Sequence, residues 1–325
     1  MSLTRRHAIQ IALAAAAAGL VAPPAWSSET LLSPEMTGTG TPDLGTPDLA
    51  TPGLDALVNG ASDAFDRLTV PVTLNGHGPY PFMVDTGANI SCVARRVAQA
   101  LALPVQPSRP VHTMVAVRSQ PLALIDVLTV GRQTRRSMAA LALQLEDPRL
   151  GGVLAVDWLQ NQRLTLDFTR NSLELADSRH DFSRPGRVIL QARRRLGQLT
   201  IVDAELGETR ISALIDSGSE ASLCNAPLRR LIERRRGAGE RRQMVQMISV
   251  LGEPFAGELL YLPFLRLGGL ELGNVPVVHA DTHAFQIWGV ADVPAVLLGM
   301  DLLRQFRAVS LDYGRSQVRF DLHPA

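Results

Sequence analysis

The 325-residue chain contains the same pattern twice, and this repeat limits the possible folds more than any other feature. A β-rich run that begins at Leu68 ends in the motif Asp85-Thr-Gly-Ala, and a second run that begins at Leu199 ends in Asp216-Ser-Gly-Ser. The spacing from leucine to aspartate is 17 residues in both copies, and the two aspartates stand 131 residues apart. Self-similarity on this scale predicts two similar lobes rather than one continuous core.

The similarity continues beyond the two motifs. Each motif is followed by a helix-like stretch, at 93–101 and at 227–236, and then by strand-like segments with Gly or Pro turns. Near its end each copy has an apolar segment that contains an aspartate, Asp157 in the first copy and Asp301 in the second. The second copy has 13 extra residues between its two aspartates, about equally before and after Gly268. We expect these insertions in loops, and we expect the lobes to span 67–176 and 187–322.

Composition excludes several kinds of function. The 32 basic and 31 acidic residues give a formal net charge of +1, which provides no signal for nucleic acid or for an anionic membrane. Every basic residue is an arginine, which excludes Schiff-base, Ser–Lys and Walker-type lysine chemistry. Two cysteines are too few for a disulfide framework or a cysteine-based zinc site. We expect no metal and no cofactor.

Residues 1–27 have the composition of an export signal. Arg5-Arg6 precedes an apolar run from Ile9 to Val21, which is shorter than the roughly 20 residues that span a bilayer. Small residues up to Ser27 suit cleavage by a signal peptidase, and the paired arginines resemble a twin-arginine signal. We therefore expect a periplasmic or secreted protein with no stable membrane insertion after cleavage; an uncleaved anchor is the alternative.

Residues 28–66 differ in composition from the repeat. They contain no arginine and carry Thr-Pro units at Thr41, Thr46 and Thr51 without a periodic apolar face. Such Pro- and Gly-rich composition predicts a disordered linker. A pro-segment is the alternative interpretation.

The chain has two Asp-Thr/Ser-Gly motifs, and an apolar segment near the end of each copy follows each motif. In these features it resembles the retropepsin-like aspartic proteases. A retroviral protease supplies one such lobe per subunit and is a homodimer, whereas this chain carries both lobes, over about 67–322. The resemblance implies an all-β fold of two tandem retropepsin-like β-barrel lobes with short helices, a pseudo-twofold axis and an active site between the lobes. It also implies a monomer. Ala155 stands where the family has glycine.

The resemblance assigns the catalytic pair to Asp85 and Asp216. Two close carboxylates share a proton, so the ionised partner can take a proton from water while the protonated partner hydrogen-bonds the substrate carbonyl. The other motif residues would support the pair, the hydroxyl residues by bonding across the lobes and the glycines by allowing close approach. These supporting residues are Thr86, Gly87, Ser217, Gly218 and Ser219. Because Ser219 can donate a hydrogen bond to Asp216 and Ala88 cannot do so for Asp85, we predict that the shared proton resides on Asp85.

The same resemblance implies which residues form the substrate site. The hairpin after each helix would form a flap, with tips at 118–120, including Ser119 and Gln120, and at 251–253, including Gly252. Cys92 and Leu223, seven residues past each aspartate, would face the substrate pocket. Cys224 would point the other way, which argues against a Cys92–Cys224 disulfide.

Other polar residues have simpler interpretations. Asp157 and Asp301 each precede a short helical stretch and are predicted to be helix N-caps rather than catalytic acids. His279, Asp281 and His283 have metal-ligand spacing but no clear further ligand, so we predict no metal there.

Two functions remain open. The first is an exported endopeptidase that hydrolyses extended protein or peptide segments through the Asp/Asp pair and is active as a single chain. The alternative is a catalytically weak double-lobe module of the cell envelope that binds peptides or has a structural role. Neither hypothesis involves nucleic acid.

Overall fold

The computed structural model describes residues 68–182, 184–195, 198–235 and 243–324, together with four short strands nearer the N-terminus. The predicted export signal at 1–27 and linker at 28–66 lie outside the described residues apart from those strands, and both stay predictions. Among the described residues, none of the helices is both long and apolar enough to cross a membrane.

The strands and helices of the two lobes follow the same order. The N-terminal strands and the first lobe consist of β1 (Ala15–Ala16), β2 (Leu32–Pro34), β3 (Ala56–Asn59), β4 (Ala61–Ser62), β5 (Leu68–Leu74), β6 (His77–Val84), β7 (Cys92–Ala94), α1 (Arg95–Ala100), β8 (Val105–His112), β9 (Val117–Val130), β10 (Gln133–Leu143), β11 (Gly152–Leu154), α2 (Val156–Leu159), β12 (Gln162–Asp167) and β13 (Ser172–Asp177). The second lobe consists of β14 (Arg187–Arg195), β15 (Gln198–Leu206), β16 (Thr209–Ile215), β17 (Leu223–Cys224), α3 (Ala226–Arg235), β18 (Gln243–Ser249), β19 (Pro254–Leu267), β20 (Leu270–His279), α4 (His283–Ile287), β21 (Ala295–Leu298), α5 (Met300–Leu303), β22 (Ala308–Asp312) and β23 (Gln317–Asp321).

Each lobe is a closed six-stranded barrel. In the first lobe the strands follow the order β5-β6-β11-β7-β10-β9, and β9 pairs with β5 to close the barrel. In the second lobe the order is β15-β16-β21-β17-β20-β19, and β19 pairs with β15. The two orders match strand for strand, so the predicted fold of two tandem retropepsin-like β-barrels is confirmed.

Local sequence explains how the first barrel begins. Alternate residues of β5, including Val70, Val72 and Leu74, are buried, which is the period-2 pattern of a strand with one face in a core. Asn75 and Gly76 then form a two-residue turn with φ values of 49° and 81°, a backbone that Asn-Gly favours and that joins β5 to β6 as a hairpin.

A third sheet joins the lobes. Its strands follow the order β14-β23-β22-β12-β13, and its central pair is β12 of the first lobe against β22 of the second. Leu164 lies opposite Leu311 in this pair, and both side chains are buried. Thr165 and Ser310 are also opposite and share a buried hydrogen bond of 2.9 Å. The lobes are therefore joined by backbone pairing and a shared core.

The extra residues of the second copy are not all irregular loop. Helix α4 lies between β20 and β21, whereas the first lobe has no helix between β10 and β11. Helix α3 has 10 residues, whereas its counterpart α1 has 6. The barrel strands keep the same order in both lobes, as expected if the insertions spare the core.

The connection between the lobes is anchored by an ionic cluster around Asp181. Its carboxylate lies 3.2 Å from Arg163, 3.6 Å from Arg187 and 2.6 Å from Arg319, which belong to β12, β14 and β23. Burial alone would raise the pKa of Asp181, but Arg319 and the other arginines outweigh this effect and lower it. The Arg163 side chain is only 4% exposed, so removing its partner would leave a buried charge.

We expect Asp181→Asn to lower the free energy of unfolding by about 2 kcal/mol at neutral pH, measured by urea denaturation, because Arg163 loses its counter-charge. The folded-state pKa of Asp181 is lowered, so its contribution is present above about pH 4 and is lost as the pH falls further.

The matched control is Glu271→Gln, which breaks the exposed Arg266–Glu271 pair of 3.1 Å and should cost less than about 1 kcal/mol. Equal effects of the two variants would show that the Asp181 cluster contributes no more than a surface ion pair.

Candidate active site

The two motif aspartates lie at equivalent positions of the two barrels. Asp85 directly follows β6 and Asp216 directly follows β16. The backbone N–H of Asp85 donates to Leu154 O at 2.9 Å, and that of Asp216 donates to Leu298 O at 3.0 Å, so the neighbouring parallel strand holds each loop. Both side chains are buried, with exposures of 0% and 1%.

The motif glycines bring the two carboxylates to the same place. A Cβ atom on Gly87 would overlap the carboxylate of Asp216, and a Cβ atom on Gly218 would overlap the carboxylate of Asp85. Each carboxylate therefore lies against the backbone of the other lobe's motif, and only glycine leaves room for this approach. The structure thus joins two residues that are 131 positions apart in sequence.

Backbone donors and burial set the charge of the pair. Asp85 Oδ1 accepts hydrogen bonds from the N–H groups of Gly87 at 2.7 Å and Ala88 at 3.0 Å. Burial raises the pKa of Asp216 well above its ordinary value, and the neighbouring carboxylate of Asp85 raises it further. Asp216 is held in the same way, by the N–H of Gly218 at 2.9 Å and the N–H of Ser219. Two buried like charges are disfavoured, so the pair is expected to share one proton.

Ser219 does not act as its sequence position suggests. Its hydroxyl donates to Ala221 O at 2.7 Å, so the hydroxyl proton is not directed at Asp216. Ser219 acts on Asp216 through its backbone N–H, as Ala88 does on Asp85. The Ser219 hydroxyl therefore does not provide the asymmetry on which the predicted placement of the shared proton on Asp85 rests.

Thr86 and Ser217 bond across the junction between the lobes. Thr86 Oγ1 donates to Ile215 O at 2.9 Å and accepts from Ser217 N at 3.0 Å. Ser217 Oγ donates to Val84 O at 2.8 Å and accepts from Thr86 N at 3.2 Å. All four bonds are buried, so the hydroxyl groups hold the two aspartate loops in one arrangement.

A second pair of networks supports these loops, and sequence analysis missed it. Ser91 donates to Asp157 from its hydroxyl at 2.6 Å and from its N–H at 2.9 Å, and Ser222 does the same to Asp301 at 2.7 and 3.0 Å. Both serines lie six residues after the motif aspartate. That repeated spacing was the available signal.

The roles of Asp157 and Asp301 differ from the predicted N-caps. The N-cap positions are Ala155 for α2 and Gly299 for α5, and Asp157 and Asp301 lie inside the first turn. Burial raises the pKa of Asp301 to about 6 and also raises the pKa of Asp157, while the serine donors oppose this. Both aspartates connect the helix to the loop after the motif.

Ala155 takes the place of a glycine and keeps nearly the same backbone conformation. Ala155 and Gly299 have similar extended backbones, with φ and ψ of −108° and −173° against −88° and −176°. Each N–H donates to the supporting serine hydroxyl at 3.0 Å, Ala155 to Ser91 and Gly299 to Ser222. The first lobe therefore keeps its supporting network.

The predicted pocket residues Cys92 and Leu223 begin β7 and β17 and are fully buried. Leu223 belongs to an apolar cluster of the second lobe that also includes Trp288 and Met114, the latter from the first lobe's flap. Cys92 and Cys224 are both free thiols, and burial raises the pKa of each well above its ordinary value.

The flaps are the hairpins β8–β9 and β18–β19. The first turn comprises residues 113–116, so the predicted tip at 118–120 was placed too late in the sequence. Ser119 and Gln120 lie within β9, opposite Pro110 and Arg109. Gly252 does lie in the turn of the second flap, with a φ of 78°.

The residues of the histidine motif make two separate contacts. His279 lies 3.4 Å from Asp281, but His283 is bonded to His112 of the first flap. In the described part of the chain, no three His, Cys, Asp or Glu side chains are grouped so as to hold a metal ion.

Comparison with known families agrees with this geometry. The profile of the aspartyl protease family matches residues 70–158 and 202–302, one match in each lobe. Because the matches cover more than half of the chain, the protein belongs to the aspartyl protease family, and its two lobes are of the retropepsin-like kind. No curated protein matches the sequence significantly.

We expect Gly218→Ala to lower the free energy of unfolding by about 1–3 kcal/mol, because the added Cβ would overlap the Asp85 carboxylate. The matched control is Gly269→Ala, where a Cβ would meet nothing within 4 Å and should be tolerated. Thermal or urea unfolding measures both; similar stabilities would contradict the close packing of the two loops.

We expect Ser91→Ala and Ser222→Ala each to lower the free energy of unfolding by about 1–3 kcal/mol, because a buried carboxylate loses its hydroxyl donor and a backbone N–H loses its acceptor. Ser119→Ala, on an exposed strand position, serves as the control and should be neutral. The interpretation fails if either buried serine can be replaced without loss of stability in urea denaturation.

Proposed function

We propose that this protein is an aspartic endopeptidase that hydrolyses peptide bonds of extended protein segments with Asp85 and Asp216. The observation that carries the proposal is the placement of two buried carboxylates, one from each lobe, against each other's motif glycine. The family match supports peptide hydrolysis in general. The assignment of the pair and of its roles rests on this geometry.

The proposed reaction uses the unequal charge of the pair. Asp85, charged and held by two backbone N–H groups, accepts a proton from a water molecule that attacks the peptide carbonyl carbon. Asp216, whose pKa is raised, donates its proton to the carbonyl oxygen. The resulting tetrahedral intermediate breaks at the C–N bond as the leaving nitrogen takes up the proton that Asp85 accepted. One hydroxyl group of the intermediate returns its proton to Asp216, which gives the carboxylic acid product and restores the pair.

The substrate is proposed to bind as an extended strand. The two flaps are β-hairpins, and β8 forms an edge of the first lobe's sheet. Binding by backbone hydrogen bonds to such elements tolerates varied side chains, so pockets near Cys92 and Leu223 would set the preference. We further propose that the protein acts as a monomer outside the cytoplasm, which follows from the paired lobes and from the signal-like segment 1–27.

The deciding experiment compares wild type with Asp85→Asn and Asp216→Asn on an unstructured protein substrate, with cleavage followed by mass spectrometry. Each substitution should reduce the rate by about 10²–10⁴-fold, because the pair loses its base or its acid. Asp126→Asn, at an exposed position of β9, is the matched control and should retain the wild-type rate.

The same experiment distinguishes the alternative function. If wild type and both dyad variants cleave equally poorly between about pH 2 and pH 7, a range that includes the apparent pKa values of a shared carboxyl pair, the enzyme proposal fails. Peptide binding by the folded wild-type protein, with no cleavage, would then favour the catalytically weak peptide-binding module. The supporting network around Ala155 is intact, which favours the enzyme.

A further inference from the structure

The tip of each flap crosses to the opposite lobe. In the first flap, Met114 O accepts a hydrogen bond of 2.9 Å from the N–H of His283, the first residue of α4. In the second flap, Val250 O accepts a hydrogen bond of 2.9 Å from the N–H of Glu146, in the loop between β10 and β11. The two contacts are counterparts, since each loop lies at the same place in its lobe.

The flap tips also bury apolar side chains. Met114 is 0% exposed and belongs to the second-lobe cluster that contains Leu223 and Trp288. Val250 is 1% exposed and belongs to the main core. Because burying apolar side chains is favourable, these contacts hold both flap tips against the opposite lobe.

Glu253 joins the two flaps to each other. Its Oε2 accepts a hydrogen bond from Thr113 Oγ1 at 2.9 Å, and its Oε1 accepts one from Arg118 Nε at 2.9 Å. Its side chain is 15% exposed, whereas that of Arg118 is 51% exposed. These contacts span the gap between the hairpins, so a peptide strand requires the flaps to separate before it can reach the aspartates.

The contact that can respond to pH is a histidine pair. His112 at the end of β8 and His283 of α4 have Nδ1 and Nε2 atoms 2.7 Å apart, with ring centroids 5.0 Å apart and planes inclined by 16°. A hydrogen bond here needs a proton on one nitrogen and a lone pair on the other. The bond survives one additional proton, but two imidazolium rings would place two N–H groups and two positive charges face to face.

The other charges around this pair are paired with one another. On the flap side, Arg118 is neutralised by Glu253, and on the side of β20, His279 is 3.4 Å from Asp281. His283 Nδ1 lies 3.2 Å from Gln286 Oε1 within α4. In the part of the chain that the structure describes, neither His112 nor His283 has a carboxylate partner that would offset a second positive charge.

We propose that the flaps form a latch that closes the cleft at neutral pH and is released in acid, when His112 and His283 both carry a proton. This inference rests on the proposed function, because release matters only if a peptide must pass the flaps. It assigns a role to α4, the helix that the first lobe lacks.

The direction of the pH dependence follows from the geometry of the pair. Burial and the nearby His283 lower the pKa of His112 from its ordinary value of 6.5. A lowered histidine pKa in the closed form means that closure is favoured above the ordinary pKa and is lost as the pH falls through the lowered one. Each pH unit between the ordinary pKa and the lowered one favours the open form by up to about tenfold.

The test is hydrogen–deuterium exchange of the full chain at about pH 7.5 and about pH 4.5, on either side of the histidine range. The reporter is the backbone amide of His283, which bonds Met114 O, and the amides of β22 report global unfolding. After correction for intrinsic exchange, the protection factor at His283 should fall by about tenfold or more in acid while β22 stays protected.

Two variants make the test specific. His112→Gln and His283→Gln keep a hydrogen-bonding side chain but cannot titrate, so acid should no longer reduce protection at the flap contacts in either variant. His77→Gln, at an exposed position of β6, is the matched control and should behave as wild type. Unchanged protection of His283 in acid, or an equal loss in the glutamine variants, would overturn the latch.

The outcomes separate this proposal from the proposed function. If the flaps open in acid but the wild-type protein cleaves no peptide, the latch proposal is supported and the endopeptidase proposal is refuted. If wild type cleaves the substrate but hydrogen-exchange protection at the flap contacts does not depend on pH, the endopeptidase proposal is supported and the latch proposal is refuted.

Discussion

Two carboxylates face each other away from solvent, and much of the surrounding structure serves to hold them there. Burial disfavours charge on either group, and each group disfavours charge on the other, so the pair persists only if the surrounding structure holds it in place. Here the backbone N–H groups of Gly87 and Ala88 bind Asp85, and the cross-lobe bonds of Thr86 and Ser217 hold both loops. The serine–aspartate networks behind the loops and the β12–β22 pairing between the lobes extend this support to the whole molecule.

Carrying both lobes in one chain allows them to differ where a symmetric dimer could not. The strand order and the supporting networks are the same in both halves, as expected for parts that must hold two equivalent aspartates. The differences lie at the periphery: α4 is present only in the second lobe, and the first flap meets it through His112. This asymmetry therefore lies at a flap contact rather than at the aspartate loops.

Sequence analysis predicted the barrels and the position of the aspartates because both depend on short-range patterns. Alternating apolar residues and the Asp-Thr/Ser-Gly motifs are local signals that recur in register. The first flap tip was predicted too late in the sequence, since β8 and β9 carry exposed polar residues on both sides of a turn that lacks glycine. Sequence analysis also misassigned the Ser219 hydroxyl, because a hydroxyl selects among several acceptors and Ala221 O is the one within reach.

Two similar lobes, with Asp85 and Asp216 at equivalent positions, follow from the repeat in the sequence, because matched spacing makes equivalent strands end in equivalent loops. The partners that meet across the two lobes become visible only in the folded molecule. The bonds of Ser91 with Asp157, of Glu253 with Thr113 and of His112 with His283 join residues that are distant in sequence. Such contacts depend on how two barrels pack against each other, and no local pattern in a single sequence encodes that packing.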